Sequence, residues 1–191
     1  MGYTTDFYGK FEFDKPIAPW LVEYVNKFCD SRRMKRDNDK IKELYPAWKE
    51  LCFNGNLGVE GEYFIGGIGF KGQTRDDSVI DHNNSACTQP GLWCQWVVTE
   101  DGKYLEWDGN EKFYEYEEWL IYLIDNFFDP LGYMLNGDVR WQGENYDDLG
   151  VIHVVDNVVC SEYGVREYSI SNIDTDDLIA ELTRRGYKVT V

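Results

Sequence analysis

The chain of 191 residues contains only two histidines, His82 and His153, and no C-x-x-C pair among its five cysteines. Imidazole and thiolate donors are too few and too widely spaced to suggest a structural zinc site. Cys29, Cys52, Cys87, Cys94 and Cys160 are odd in number and far apart, which argues for free thiols in a reducing compartment rather than a disulfide framework. No apolar run approaches the roughly 20 residues needed to span a bilayer. The first ten residues lack a basic stretch followed by an apolar one, so no signal peptide is read and a cytoplasmic location is expected. Basic residues are scarce too. Nineteen Lys and Arg face 35 Asp and Glu, a net charge of −16. That balance argues against a face basic enough to track a nucleic-acid backbone.

The deficit of cations is uneven. Residues 1–100 hold 12 basic and 15 acidic side chains, a net of −3, whereas residues 101–191 hold 7 and 20, a net of −13. The second half therefore carries the field, which favours basic partners or cations. The plainer role of such acidity is to keep a surface hydrated.

Aromatic residues are plentiful at 16%. They can offset the entropy of ordering by burial, and the length fits one domain with a real core. Alternation of Phe7, Phe11 and Phe13 predicts an opening strand with Gly9 as a bulge. Ile17, Leu21, Val25 and Phe28 recur at helical spacing after Pro16 or Pro19, and predict a helix that ends in the basic segment at residues 32–36. Residues 37–91 read as a loop-rich insertion with a short helix near 41–51 and a strand at Tyr63, Phe64 and Ile65. Residues 92–99 and 104–107 flank an Asp-Gly turn and predict a hairpin. A second helix is predicted over 113–128, ended by Pro130 and Gly132. Turns are read at Asn136-Gly137 and Asp156-Asn157, and a C-terminal helix over 174–185. The order predicts one α+β domain. Its antiparallel sheet has five to seven strands, with two main helices on one face and a βαββαβ core of ferredoxin-like connectivity.

Several segments stand out as a set: EGEYFIGG-x-GF-x-GQ from Glu60, RDDSVIDHN from Arg75, QPGLWCQWV from Gln89, EDG-x-x-x-EWDG-x-EKFY from Glu100 and GYMLNGDVRWQGE from Gly132. Over most of residues 3–159 the chain resembles a family of uncharacterised proteins of bacteriophages and bacterial genomes. The resemblance implies no activity. It implies a context, that of a phage or mobile-element accessory protein acting in the host cytoplasm.

The densest polar group is Asp76, Asp77, Asp81 and His82. Carboxylates beside an imidazole suit Mg²⁺ or Mn²⁺ binding or acid–base work, with Glu60, Glu62 or Glu144 as further ligands; Asp and Asn in such a loop also serve simply as turn formers. Gly66, Gly67, Gly69 and Gly72, near Lys71 and Arg75, match neither glycine-rich phosphate motif, and a bulged hairpin explains them better. Cys94 would need a base such as His82 or His153 to act as a nucleophile, but its strand pattern favours burial. Trp93, Trp96 and Trp141 are candidate pocket aromatics, against the plainer expectation that they are core. Arg32, Arg33, Arg36 and Arg75 are candidate anion contacts, against pairing with the protein's own carboxylates. Asp108, Glu111, Glu115 and Glu118 are the sharpest hint of a surface. The last three recur at helical spacing, and like charges on one helix face repel unless something basic meets them.

These observations predict a non-enzymatic binding protein that engages a basic surface on a host or phage protein. It would act as an inhibitor, an anti-defence factor or a nucleic-acid mimic, with no cofactor, no metal and no membrane contact. One alternative is a small metal- or nucleotide-dependent enzyme with its site in residues 60–96. In that case Asp76, Asp77, Asp81 or His82 must converge with Glu62 or Gln89. The other alternative is a structural component that forms a homo-oligomer.

Overall fold

The computed structural model describes residues 2–164 and residue 179; the predicted helix at 174–185 lies outside the described residues apart from Ile179, which is helical. The strands are β1 (Thr5–Gly9), β2 (Phe11–Phe13), β3 (Lys35–Arg36), β4 (Val79–Asp81), β5 (Trp96–Val98), β6 (Tyr104–Trp107), β7 (Leu135–Gly143), β8 (Leu149–Val155) and β9 (Val158–Tyr163). The helices are α1 (Pro19–Cys29), α2 (Asn38–Leu44) and α3 (Tyr116–Leu123). Seven strands form one antiparallel sheet in the order β5-β6-β2-β7-β8-β9, with β1 also paired to β7.

β1 and β2 are the two halves of one N-terminal arm, broken at Lys10, and both pair with β7. If that arm counts as one strand, the core runs arm–α1–β5–β6–α3–β7. Its spatial order is second, third, first, fourth. This is the ferredoxin-like arrangement, here extended past β7 by the β8–β9 hairpin. Gly137 marks the break on the β7 side. Its φ of 131° brings it against the β1–β2 junction, where an added Cβ would sit 3.2 Å from the Lys10 carbonyl. No turn forms at Asn136-Gly137, because both residues lie inside β7. Asp156-Asn157 does form the β8–β9 turn, with both φ angles positive (48° and 69°), as a two-residue hairpin requires.

The core lies between the sheet and the helices. Phe7, Phe11, Phe13, Trp96, Leu105, Val139 and Ile152 from the sheet share one cluster with Leu21, Val25 and Phe28 of α1 and Trp119, Leu120 and Leu123 of α3. α1 begins with Pro19 in its first turn, where the missing N–H costs nothing. It ends at Cys29, short of the basic segment. Arg33 and Arg36 are consequently buried rather than placed at a helix terminus.

α3 starts three residues later than the spacing predicts, because Lys112 and Glu115 adopt positive φ (63° and 52°) and turn the chain. It continues through a π-helical turn, Ile124–Phe128, and stops at Gly132. The insertion between α1 and β5 has its own small core of Ile41, Cys52, Leu57 and Phe64. It contributes the β3–β4 pair but no strand at Tyr63–Ile65. There, the carbonyls of Glu62 and Phe64 accept hydrogen bonds from the buried Arg33, and Ile65 N–H donates to Leu51. No helix among the described residues is long and apolar enough to cross a membrane.

Candidate functional site: an acidic cavity beside α3

The polar group at 76–82 does not assemble into a site. Asp76 lies in a buried ion pair with Arg36, each side chain 5% exposed. Both Asp76 oxygens accept from Arg36 Nη1 at 2.8 and 3.0 Å, and the carboxylate also takes the Ser78 and Tyr45 hydroxyls. Asp81 accepts from Asn83 N–H and the Asn84 amide, which caps its own loop. The His82 ring contacts the Gln73 carbonyl at 3.0 Å. Asp77 is exposed. Among the described residues no group of three or more His, Cys, Asp or Glu is placed to hold a metal ion. Of the other ligands considered, Glu60 pairs with Lys35 at 2.5 Å, and Glu144 accepts from Thr4 N–H at the chain start.

The arginines are largely spent internally as well. Arg32 Nε donates to the His82 carbonyl, with the guanidinium 5.8 Å from the Trp93 ring. Arg33 retains 3% exposure. It lies 4.1 Å over Phe28 and bonds two carbonyls, and its burial pulls the guanidinium below its ordinary value. Only Arg75 of the four is exposed. Trp96 and Trp141 are core residues at 0% and 5% exposure, which leaves Trp93 as the pocket aromatic of the three. His153 is bound through Nδ1 to Asp138 on β7 at 2.7 Å, while Cys94 is buried at 1% exposure beside Cys29. Neither histidine is hydrogen-bonded to Cys94.

The fold does bring Glu62 and Gln89 together, in an open cavity of 620 Å³ between the insertion and α3. Glu62 is 5% exposed. Its carboxylate accepts from Val59 N–H at 2.8 Å, from the Thr88 hydroxyl and from the Tyr122 hydroxyl at 3.1 Å. Its backbone carbonyl takes Arg33 Nη2 at 2.7 Å and Gln89 Nε2 at 2.9 Å. Burial first, and the adjacent Glu62 carboxylate second, hold the Tyr122 hydroxyl well above the usual phenol value, so it remains a donor. The opposite wall comes from one face of α3 and its continuation. Glu118 is followed three and four residues on by Ile121 and Tyr122, and these by Asp125 four and three residues on; all four line the cavity. Ile121 is 43% exposed between the two carboxylates.

Glu118 also lines a second, smaller depression of 200 Å³ with Glu115, Tyr116, Glu117 and Tyr163. Tyr163 donates to Glu117 at 2.8 Å, and that bond helps raise its hydroxyl to about 12. The two depressions together present five carboxylates, Glu62, Glu115, Glu117, Glu118 and Asp125, and among the described residues no Lys, Arg or His lines either of them. Such a surface repels anions. In chemical terms such a lining suits a cation on an apolar stem better than an anion, since a stem can lie along Ile121 and the tyrosine rings.

This surface differs from the predicted one in a definite way. Glu115 and Glu118 belong to it, but Asp108 and Glu111 line a separate cavity on the other side of the Lys112 reversal. Glu111 precedes the helix, so the three glutamates share no helical face. Glu117 and Glu118 sit in the first turn, where negative charge meets the positive end of the helix dipole and is favoured rather than repelled. Spacing in the sequence could not reveal Tyr122 and Thr88 as partners of Glu62, since they arrive from 60 and 26 residues away. Compared with known protein families, curated proteins and solved structures, the chain matches none.

Proposed function

We propose that this chain is a non-enzymatic binding protein that takes a basic segment of another protein onto the acidic cavity and strip along α3. The observation that carries the reading is the lining: five carboxylates across two adjoining depressions, with no cation beside them among the described residues. The net charge of −16 adds a long-range field that would speed encounter with a basic partner. In the phage context that the resemblance implies, a row of carboxylates suits an inhibitor, an anti-defence factor or a nucleic-acid mimic. The reading as a metal- or nucleotide-dependent enzyme has lost its named residues, since Asp76, Asp77, Asp81 and His82 are absent from the cavity that holds Glu62 and Gln89.

The test uses defined probes first. Lysine- and arginine-rich peptides and an uncharged control peptide are titrated against the protein at rising salt. Binding should be selective for the basic peptides and fall steeply with ionic strength. The Glu118→Lys/Asp125→Lys variant should lose at least tenfold in affinity. Salt-insensitive binding, or affinity untouched by that double reversal, overturns the proposal. Affinity purification from the native cell then identifies the partner, whose capture should also depend on Glu118 and Asp125.

A further inference from the structure

A second cavity, of 560 Å³, lies between the glycine-rich loop and the loop at residues 108–114. Phe70, Trp93 and Tyr114 contribute aromatic walls, and Cys29 and Cys94 both line it. Phe70 is 78% exposed, so this wall borders solvent. The glycine-rich loop is closed by an Ile68–Thr74 bridge. Gly67 packs on Gly72 so closely that an added Cβ would sit 2.6 Å from the Gly72 Cα. Lys71 ties the loop to α1 through Asp30 at 3.2 Å, one residue beyond Cys29. The two cysteines come from distant parts of the chain, the last residue of α1 and the segment leading into β5. Their sulfurs are 3.5 Å apart, and both thiols are free.

Two thiols in contact are not required by packing, because one cysteine and one alanine or serine would fill similar space. We propose that Cys29 and Cys94 form a redox pair, which a low-molecular-weight disulfide converts reversibly into a Cys29–Cys94 disulfide. The sulfur of one cysteine, as thiolate, attacks the reagent disulfide and releases one thiol, leaving a mixed disulfide on the protein. The second cysteine displaces the other half of the reagent. Two protein S–H bonds are lost, one S–S bond forms, and the two protons and two electrons leave on two molecules of reduced reagent. Closing the gap to about 2 Å takes a movement of about 1.5 Å, within reach of side-chain rotation and a small shift of the segment before β5. The cavity supplies the approach.

Burial pushes the Cys29 thiol well above its usual value, and the adjacent Cys94 adds to the rise. Little thiolate is present at neutral pH, so the exchange is slow and its signature lies in the equilibrium rather than the rate. Oxidation would clamp the end of α1 to the lead of β5 across a loop of more than 60 residues. It would also fix the base of the cavity in one shape. Cys87 and Cys160 are exposed and provide internal controls.

The experiment equilibrates the full chain for hours in glutathione buffers from fully reduced to fully oxidised, then quenches with acid, alkylates and maps the peptides by mass spectrometry. A Cys29–Cys94 cross-link with a loss of 2 Da should appear as the buffer becomes oxidising and revert with reductant. Cys87 and Cys160 should instead carry glutathione. The oxidised protein should melt roughly 5–10 °C higher. In Cys94→Ser both the cross-link and the gain should vanish. The proposal is overturned if Cys29 and Cys94 stay alkylatable on denaturation after the most oxidising buffer. It is equally overturned if the cross-link forms only in urea. The mapping requires no variant, so poor folding of Cys94→Ser leaves the test intact.

Discussion

Asp76→Ala should cost about 3–5 kcal/mol of folding stability, the range for removing one partner of a buried ion pair. The substitution leaves the Arg36 side chain, 5% exposed, without its counter-charge. Arg36 Nη1 loses acceptors at 2.8 and 3.0 Å, and the Tyr45 hydroxyl loses one at 2.8 Å. For a chain of this length the loss corresponds to a fall in melting temperature of roughly 8–15 °C. Urea unfolding followed by tryptophan fluorescence measures it directly, provided the slope with denaturant stays constant. The double variant Arg36→Met/Asp76→Leu removes both charges and should recover most of the loss, because an apolar pair of similar volume is about as stable as a buried ion pair. Acidity gives a second readout. Burial pushes the Asp76 carboxyl up, but hydrogen bonds from Ser78, Arg36 and Tyr45 outweigh it and hold the group below its ordinary value. A depressed folded value contributes stability in full above the unfolded value, about 3.9, and loses it as pH falls through the lower folded value. The wild-type protein should therefore lose stability more steeply than Asp76→Asn below about pH 4. A loss under about 1 kcal/mol in Asp76→Ala, or a double variant no better than the single one, would refute this account of the pair.

Tyr45 tests the same cluster from the alkaline side. Burial and then the Asp76 contact raise its hydroxyl to about 12, so its contribution is full below about pH 10 and is lost as pH rises through 12; Tyr45→Phe should flatten alkaline unfolding in that window. Glu117→Gln and Glu118→Gln should each lower stability slightly, by roughly 0.5 kcal/mol at low salt, whereas Glu111→Gln should not; stabilisation by the first two would mean that repulsion outweighs the helix dipole. Glu62→Ala strips acceptors from Val59 N–H and the Thr88 and Tyr122 hydroxyls and should cost roughly 2–4 kcal/mol in chemical denaturation, while Glu62→Gln should cost less. Thiol titration of the native reduced protein should show fast reaction at Cys87 and Cys160 only, with Cys29, Cys52 and Cys94 reacting on unfolding.

The parts of the fold legible in the sequence are those set by local pattern. Helical spacing located α1, the Asp-Gly turn located the β5–β6 hairpin, and Asp156-Asn157 located the β8–β9 turn. Their sequential order was enough to suggest the split arrangement of strands around the arm. Readings failed where a distant group decides the backbone. Tyr63–Ile65 has a strand's composition, yet its Phe64 carbonyl and that of the preceding Glu62 accept from Arg33, and its Tyr63 carbonyl accepts from the Tyr24 hydroxyl, both about 30–40 residues away. The spacing of Glu111, Glu115 and Glu118 promised a helical face, but two positive φ angles break the chain between the first and the last, and neither falls on a glycine. Asn136-Gly137 has turn chemistry and instead serves a strand, because the arm folds against it. The site was half visible. The sequence suggests Glu62 and Gln89 as points of convergence, but the facing wall of their cavity comes from α3, and periodicity carries no information about which helix face meets which loop.

The broken arm has a consequence for how the chain is made. Thr5 pairs with Gly143, and Phe13 with Leu135, so the residues of the arm find their partners among residues made some 120–140 positions later. At about 5–20 residues per second that is a wait of roughly 6–30 s. During it Phe7, Phe11 and Phe13 have no β7 to cover them. Closing so long a loop comes late and favours slow folding. Nascent chains halted before residue 135 should stay sensitive to protease across the arm, and those long enough to bring β7 and β8 clear of the ribosome should become resistant. β7 is thus the strand that joins the arm to the β8–β9 hairpin and completes the sheet.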